Sequence, residues 1–199
     1  MAKLINQTDF AAKIKAKRIG LFSKRDIQTL FQVSPVSATF LLHRYTKRGL
    51  ILKVKRGLYA LPDLLPPDMY IANRIYGSSY VSREFALSYH RVIPETVYEI
   101  TSVSTKAPRR FEALGKVYTY RRIKKTAFTG YSNVRQNGFS FRIADPEKAF
   151  VDALYYRVLF KEKPMGRFDK KKINPGKALR YAMMFGNRRL IAILKRTLL

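Results

Sequence analysis

Hydrophobic and polar positions change period twice within the first sixty residues. Ile5, Phe10, Ala11 and Ile14 recur at helical spacing and predict a helix capped by Thr8 and running to about Lys17, ended at Arg18-Ile19-Gly20. Ser23 can cap a second helix, with Asp26 three residues on and Ile27, Leu30 and Phe31 on one face. Ser34-Pro35 starts a third, a capping hydroxyl followed by proline at the first helical position. Ala38, Leu41, Leu42 and Tyr45 fall at i, i+3, i+4 and i+7, which gives this helix one buried face, and Gly49 stops it. The period then shortens. Leu50 to Val54 and Leu58 to Leu61 are extended runs joined by Lys55-Arg56-Gly57. Helix, turn, helix and basic hairpin is the layout of a winged helix-turn-helix.

Three prolines in Pro62–Pro67 mark a boundary, and the expected domains are 1–62 and 63–199. The second part predicts a helix over Asp68–Tyr76, a short extended run at Tyr80-Val81 and a helix capped by Ser82. Strands are expected at Val97–Val103, Val117–Ile123 and Phe139–Ile143, the last entered through an Asn137-Gly138 turn. Lys106–Leu114 reads as basic and irregular. Asp145-Pro146-Glu147 opens a helix to about Phe160, and a lysine-rich loop spans Pro164–Pro175. Helices over Gly176–Phe185 and Arg188–Leu198 follow it. The expected fold class is α+β: a winged helix-turn-helix, then a mixed α/β C-terminal domain with a small sheet and C-terminal helices.

Charge changes this picture most. Among 199 residues, Lys and Arg number 40 against 13 Asp and Glu, a net charge of +27, while 47% of residues are hydrophobic. So much apolar content argues for a folded chain, and so much positive charge calls for a polyanionic partner. Nucleic acid fits best; an anionic membrane surface or an acidic protein would also serve. The cations come in blocks: 13 Lys/Arg against 2 Asp/Glu in 1–62, 10 against 1 in 106–142, and 13 against 2 in 156–199. There is no cysteine, so disulfides and cysteine-bound zinc are excluded and a reducing compartment fits. The start MAKLINQTDF lacks the apolar run of a signal peptide, and no stretch approaches the length of a membrane span. The expected location is the cytoplasm, with no membrane contact.

If Ala38, Leu41, Leu42 and Tyr45 face inward, then Ser37, Phe40, Arg44 and Lys47 line the opposite side, flanked by Thr39 and His43. Small hydroxyls near a helix start and cations further along suit a major groove, where the first turns approach base edges. The hairpin adds Lys53, Lys55 and Arg56 for the phosphate backbone or the minor groove. The candidate DNA-binding set is Ser34, Ser37, Thr39, Phe40, Arg44, Lys47, Lys53, Lys55 and Arg56. The alternative without function is a small helical domain with a solvated basic face.

Enzyme chemistry finds little support. Asp145, Glu147 and Asp152 stand close in sequence, but Lys148 lies beside Glu147 at the wrong spacing for a nuclease. Asp145 and Glu147 read instead as a cap and a first-turn acid around Pro146. His43 and His90 lack a Ser or Cys partner, and no glycine-rich phosphate loop is present. No catalytic residue, metal or cofactor is expected. Tyr118 and Tyr120 interleave with Arg121 and Arg122, and Tyr131 lies near Arg135. That pattern suits either a strand with one buried face, the favoured reading, or a surface stacking single-stranded RNA.

Several short motifs in order carry a resemblance. Arg56-Gly57-Leu58-Tyr59 is followed by Tyr80-Val81-Ser82, Ala86-Leu87 and His90. Ile143-Ala144-Asp145-Pro146-Glu147-Lys148-Ala149 and Asp152-Ala153-Leu154 come later. From about Phe22 to Leu159 the chain resembles the AbiEi-type antitoxins of type IV toxin–antitoxin, or abortive infection, systems. It departs from them at Arg91, where the family often has glycine after the histidine. The resemblance implies a DNA-binding transcriptional regulator that binds promoter repeats in duplex DNA and represses its own operon. It also implies that the second domain counters a nucleotidyltransferase-like toxin without a stable complex, the chain being a monomer or weak dimer. The alternative is an RNA-binding module using the basic second domain.

Overall fold

The computed structural model describes residues 5–163 and 165–198. Met1–Leu4, Leu199 and Pro164, from which the lysine-rich loop is expected to run, lie outside them. Helix α1 spans Gln7–Ala16, so Thr8, the expected cap, lies inside its first turn. Its cap is Asn6, whose side-chain oxygen accepts the Asp9 amide at 2.8 Å. Helix α2 (Lys24–Phe31) carries a reciprocal capping box: Asp26 accepts the Ser23 amide at 2.7 Å, and Ser23 accepts the Asp26 amide at 3.4 Å. Gln32 then enters the left-handed region with φ of 52°, turning the chain so that Ser34 caps α3 (Pro35–Lys47). The connection from α2 to α3 therefore closes without a glycine.

Strands β1 (Leu52–Lys55) and β2 (Leu58–Ala60) form an antiparallel hairpin with an irregular register between Lys53 and Lys55. Gly57, at φ of +78°, makes its turn, a conformation an L side chain rarely adopts. Phe22 exchanges backbone hydrogen bonds with Tyr59, both at 2.9 Å, and so ties the segment before α2 to the hairpin. Phe10 lies at the centre of this part: it stacks on Phe31 and meets Phe22 and Tyr45 edge-on. Ile14, Ile27, Ala38, Leu41, Leu42, Ile51 and Leu61 complete its core.

The remainder is built on a six-stranded mixed sheet in the order β5-β6-β4-β3-β8-β7. Its strands are β3 (Ser79–Val81), β4 (Ile100–Ser104), β5 (Arg109–Ala113), β6 (Lys116–Arg122), β7 (Tyr131–Gln136) and β8 (Phe139–Ala144). The inner pairs β4–β6 and β3–β8 are parallel, and the others antiparallel. The segment expected to be irregular, Lys106–Leu114, therefore contains an edge strand, and so does Tyr131–Gln136 at the other edge. Both edges are polar: Arg109, Arg110 and Glu112 stand exposed on one, and Ser132, Asn133, Arg135 and Gln136 on the other. Charged and polar edges resist pairing with a second sheet, and they also erase the apolar alternation by which a strand is recognised.

Helices α4 (Asp68–Ile75), α5 (Arg83–Tyr89), α6 (Pro146–Leu159), α7 (Pro175–Met183) and α8 (Arg188–Leu198) pack around this sheet. Helix α6 packs against α5, α7 and α8 and is buried along most of its surface. The larger core does not stop at the proline segment. Leu21, Val54, Leu58 and Ala60 belong to it, so the hairpin has one foot in each core. Gly20 lies where a Cβ would come within 2.5 Å of the Phe139 ring, so only glycine permits that approach.

Candidate nucleic-acid interface

Helix α3 turns Ala38, Leu41, Leu42 and Tyr45 inward, as its spacing predicts. The outer face is more apolar than expected at its start. Phe40 is 70% exposed and Val36, one turn earlier, 63%. With Thr39, His43 and Lys47, also exposed, they form a continuous stripe down the helix. Nothing in a lone valine beside proline marks Val36 as a surface residue. Only its helical phase, one turn before Phe40, places it outside.

The hydroxyls at the head of the helix hold it together. Ser34 accepts the Ser37 amide at 3.1 Å, and the two hydroxyls lie 3.0 Å apart. Thr39 donates to the Pro35 carbonyl at 2.8 Å. Each retains accepting capacity toward a base edge. Arg44 is half-buried, its guanidinium 5.4 Å from the centre of the Tyr45 ring and its Nε without a hydrogen-bond partner. It lies at the flank of the helix, not in the middle of the exposed stripe.

The three hairpin cations divide. Lys53 and Arg56 are exposed. Lys55 is half-buried and donates to the Ile75 carbonyl at 2.5 Å, neutralising the C-terminal end of α4. Burial, with Lys106 nearby, lowers its pKa from the ordinary lysine value. Its ammonium is thus turned to the seam between the two cores, and the outward cations of the hairpin are Lys53 and Arg56.

The carboxylates singled out in the second part have structural duties. Asp145 caps α6 by accepting the Lys148 amide at 2.7 Å, and the Tyr181 hydroxyl also donates to it at 2.7 Å. Glu147 accepts Lys177 Nζ at 2.9 Å and the Asn174 amide at 3.1 Å. Burial pushes the Glu147 pKa up, but these two donors outweigh it and hold the carboxyl below its ordinary range. Asp152 is buried with Lys148. Among the described residues no cluster of three or more His, Asp or Glu side chains could hold a metal ion. His90 lies 2.8 Å from the Ala144 carbonyl through Nε2, and His43 stands exposed on α3. Tyr118 and Tyr120 are fully buried, while Arg121 and Arg122 point out. The alternation is therefore that of a half-buried strand, and those two rings are closed to bases.

Three helices, a tight turn and a hairpin with two outward cations precede Pro62. Residues 9–62 match the model of the family described as transcriptional regulator, AbiEi antitoxin. The match takes in nearly all of α1, all of α2 and α3, and both hairpin strands. No curated protein matches the chain. The description of that family as a transcriptional regulator suggests DNA binding, consistent with the excess of cations in the matched segment. Among the described residues no helix is long and apolar enough to cross a membrane.

Proposed function

We propose that the chain is a DNA-binding antitoxin that represses its own operon through a winged helix-turn-helix and counters a nucleotidyltransferase-like toxin. The observation that carries the DNA reading is the exposed stripe of α3, together with the outward cations Lys53 and Arg56 of the hairpin, within the segment that matches the regulator family. On this reading α3 enters the major groove. Ser34, Ser37 and Thr39 face base edges or phosphates at its head, and Phe40 and Val36 offer apolar contact to a thymine methyl. Lys47 and Arg44 reach the flanking backbone. The hairpin acts as the wing, with Lys53 and Arg56 on phosphates or in the minor groove.

Residues 1–62 form the DNA-binding domain and residues 63–199 the antitoxin domain. The toxin is countered without a stable complex, in the cytoplasm, by a monomer or weak dimer binding promoter repeats. The deciding experiment is a binding titration of the full chain on its own promoter and on random duplex of equal length, with a promoter-reporter assay in cells. Preference for the promoter together with repression supports the proposal. Equal affinity for both duplexes and no repression would overturn it. Growth of cells carrying the adjacent toxin gene, with and without this chain, tests the antitoxin half.

A further inference from the structure

The parallel strands β4 and β6 end side by side, paired through Ser104 and Arg122. Just past those ends lies an open cavity of about 450 Å³, lined by Thr105, Arg122, Ile123, Lys124, Lys125 and Tyr155. Crevices beyond the carboxyl ends of parallel strands are recurrent ligand sites, because the chain leaves the sheet there and loops diverge. The lining holds three cations, the Thr105 hydroxyl and the Tyr155 phenol ring, and no carboxylate.

The site is held by its surroundings. Ile123 donates its amide to the Ser104 carbonyl at 2.8 Å, which fixes the turn after β6 to the end of β4. The Tyr156 hydroxyl donates to the Arg122 carbonyl at 2.5 Å and locks α6 to the same turn. Lys124 donates to the Phe185 carbonyl at 2.7 Å, anchoring the end of α7 and leaving Arg122 and Lys125 as the freely exposed cations. Tyr155 packs against Phe185 at 4.4 Å and Tyr156 at 5.2 Å between ring centres. Its ring is therefore braced, with one part on the cavity. Beside the site Arg121 stacks on the Phe160 ring at 5.1 Å, and Phe160 is half exposed.

We propose that this cavity binds a nucleoside phosphate, either free or as a unit of a single-stranded nucleic acid. Arg122 and Lys125 hold the phosphates, Thr105 donates a hydrogen bond, and the Tyr155 ring meets the base. The volume suits a nucleotide, as ligand sites of that class occupy roughly 300–1,000 Å³. Base stacking on an aromatic ring beside phosphate-binding cations is the recurrent mode of single-strand recognition. The stacking ring comes from α6 and not from the strand tyrosines Tyr118 and Tyr120, which are buried. The inference is independent of the duplex-binding surface of α3 and the hairpin.

Calorimetric titration of the full chain with ATP, inorganic tripolyphosphate and an oligoadenylate RNA tests it. ATP should bind at one site. Lys125→Glu, which changes an exposed side chain, and Arg122→Ala should each weaken it by about tenfold or more. Lys53→Ala/Arg56→Ala, on the hairpin, should leave it unchanged. Tripolyphosphate should bind at least about tenfold more weakly than ATP, since it has no base to stack. Competition that favours the RNA over ATP would identify a single strand as the source, and the reverse a free nucleotide. Equal binding of ATP and tripolyphosphate, or an affinity untouched by Lys125→Glu and Arg122→Ala, would overturn the proposal, because either result describes diffuse attraction to a highly basic chain.

Discussion

Lys148 and Asp152, one turn apart on α6, form an ion pair in which neither side chain has any exposed surface. Asp152 also accepts Ser82 Oγ at 2.7 Å and the Tyr80 hydroxyl at 3.1 Å, so the carboxylate joins α6 to the end of β3. Aromatic rings enclose the ammonium, with Phe185 at 4.9 Å and Tyr80 at 5.7 Å from their centres. Desolvation raises the Asp152 pKa and lowers that of Lys148; Lys148 and the two hydroxyls oppose the first shift, and the Asp152 and Asp145 carboxylates oppose the second. Removing one partner strands the other. Asp152→Ala leaves a buried ammonium and two orphaned hydroxyls and should cost about 3–5 kcal/mol. Lys148→Met should cost less, because Asp152 keeps both hydroxyl donors and can take up a proton. In that variant the raised Asp152 pKa means that the folded state holds the proton more tightly. Stability should therefore fall as pH rises from the ordinary aspartate range toward the raised value. Urea denaturation of both variants across about pH 4 to 8 reads this; a flat profile for Lys148→Met would refute it.

A second pH dependence follows from the buried phenols. Desolvation raises the pKa of Tyr80, Tyr118, Tyr120 and Tyr156 above 10, with the Asp152 or Asp68 charge adding to it for all but Tyr120. Desolvation, with the Asp145 carboxylate, also lifts Tyr181 to about 12. A raised folded-state pKa keeps the proton bound in the folded state after the unfolded chain has released it. The stability these groups contribute is full below about pH 10 and is lost as pH rises above it. Phenolate absorbance should thus appear in two steps on alkaline titration. The buried set ionises only with loss of the helical circular dichroism signal. A single smooth phenolate titration with the fold intact would be inconsistent with this burial.

Local chemistry made the N-terminal third legible. Ser23 with Asp26, Ser34 with Pro35, and Gly49 are signals read over four residues, and each stands where the chain begins or ends a helix. The edge strands were hidden because β5 and β7 carry polar residues on their outer positions and lie against a neighbour on one side only. Their identity is decided by pairing with β6 and β8, which is a long-range fact. The same holds for Lys55. Nothing in Lys53-Val54-Lys55-Arg56 distinguishes the cation that meets the end of α4 from those that face solvent, since Ile75 is twenty residues away. The Lys148–Asp152 pair has the spacing of a surface helix pair, and its burial comes from α5, α7 and α8 closing over α6.

Phe40 supplies the next test. A phenylalanine 70% exposed on a helix contributes little to the core, so Phe40→Ala should leave the melting temperature nearly unchanged. If the ring meets a base edge, the variant loses operator affinity by about 1–3 kcal/mol while random-duplex affinity stays. Ser37→Ala should do the same and also weaken the helix start through the lost contact with Ser34. Affinity for both duplexes, measured at one salt concentration, gives the ratio. An unchanged ratio for Phe40→Ala would remove α3 from the groove.

The hairpin cations should act differently from the helix. Lys53→Ala/Arg56→Ala should weaken operator and random duplex by similar factors, since phosphates carry no sequence. The slope of log affinity against log salt should flatten by up to about two units, near 0.9 for each lost phosphate contact. Lys55→Ala removes the cation on the Ile75 carbonyl and should lower stability with little change in slope. A slope loss for Lys55→Ala as large as for Lys53→Ala would mean that its ammonium leaves the seam to reach DNA.

The shared hairpin bears on whether the two halves can be separated. Leu21, Val54, Leu58 and Ala60 precede the proline segment yet pack in the larger core. Lys15 and Asp63 form an ion pair that begins on α1 and ends past Pro62, but both side chains are about half exposed and such pairs contribute little. The apolar contacts dominate. Burying a leucine or valine side chain stabilises by roughly 1.5–3 kcal/mol, so Leu21, Val54 and Leu58 together carry several kcal/mol. A fragment of residues 63–199 should therefore melt well below the full chain and expose apolar surface. The fragment 1–62 keeps its own core around Phe10 and should stay folded, with Leu21, Val54 and Leu58 uncovered. Mixing the two should restore much of the lost stability, because the surfaces are complementary and held by burial. Thermal unfolding of each fragment, of the mixture and of the full chain decides it. If 63–199 alone melts with the full chain, the hairpin contributes nothing to that core. If the mixture melts like its separate parts, the seam depends on the covalent link and not on packing.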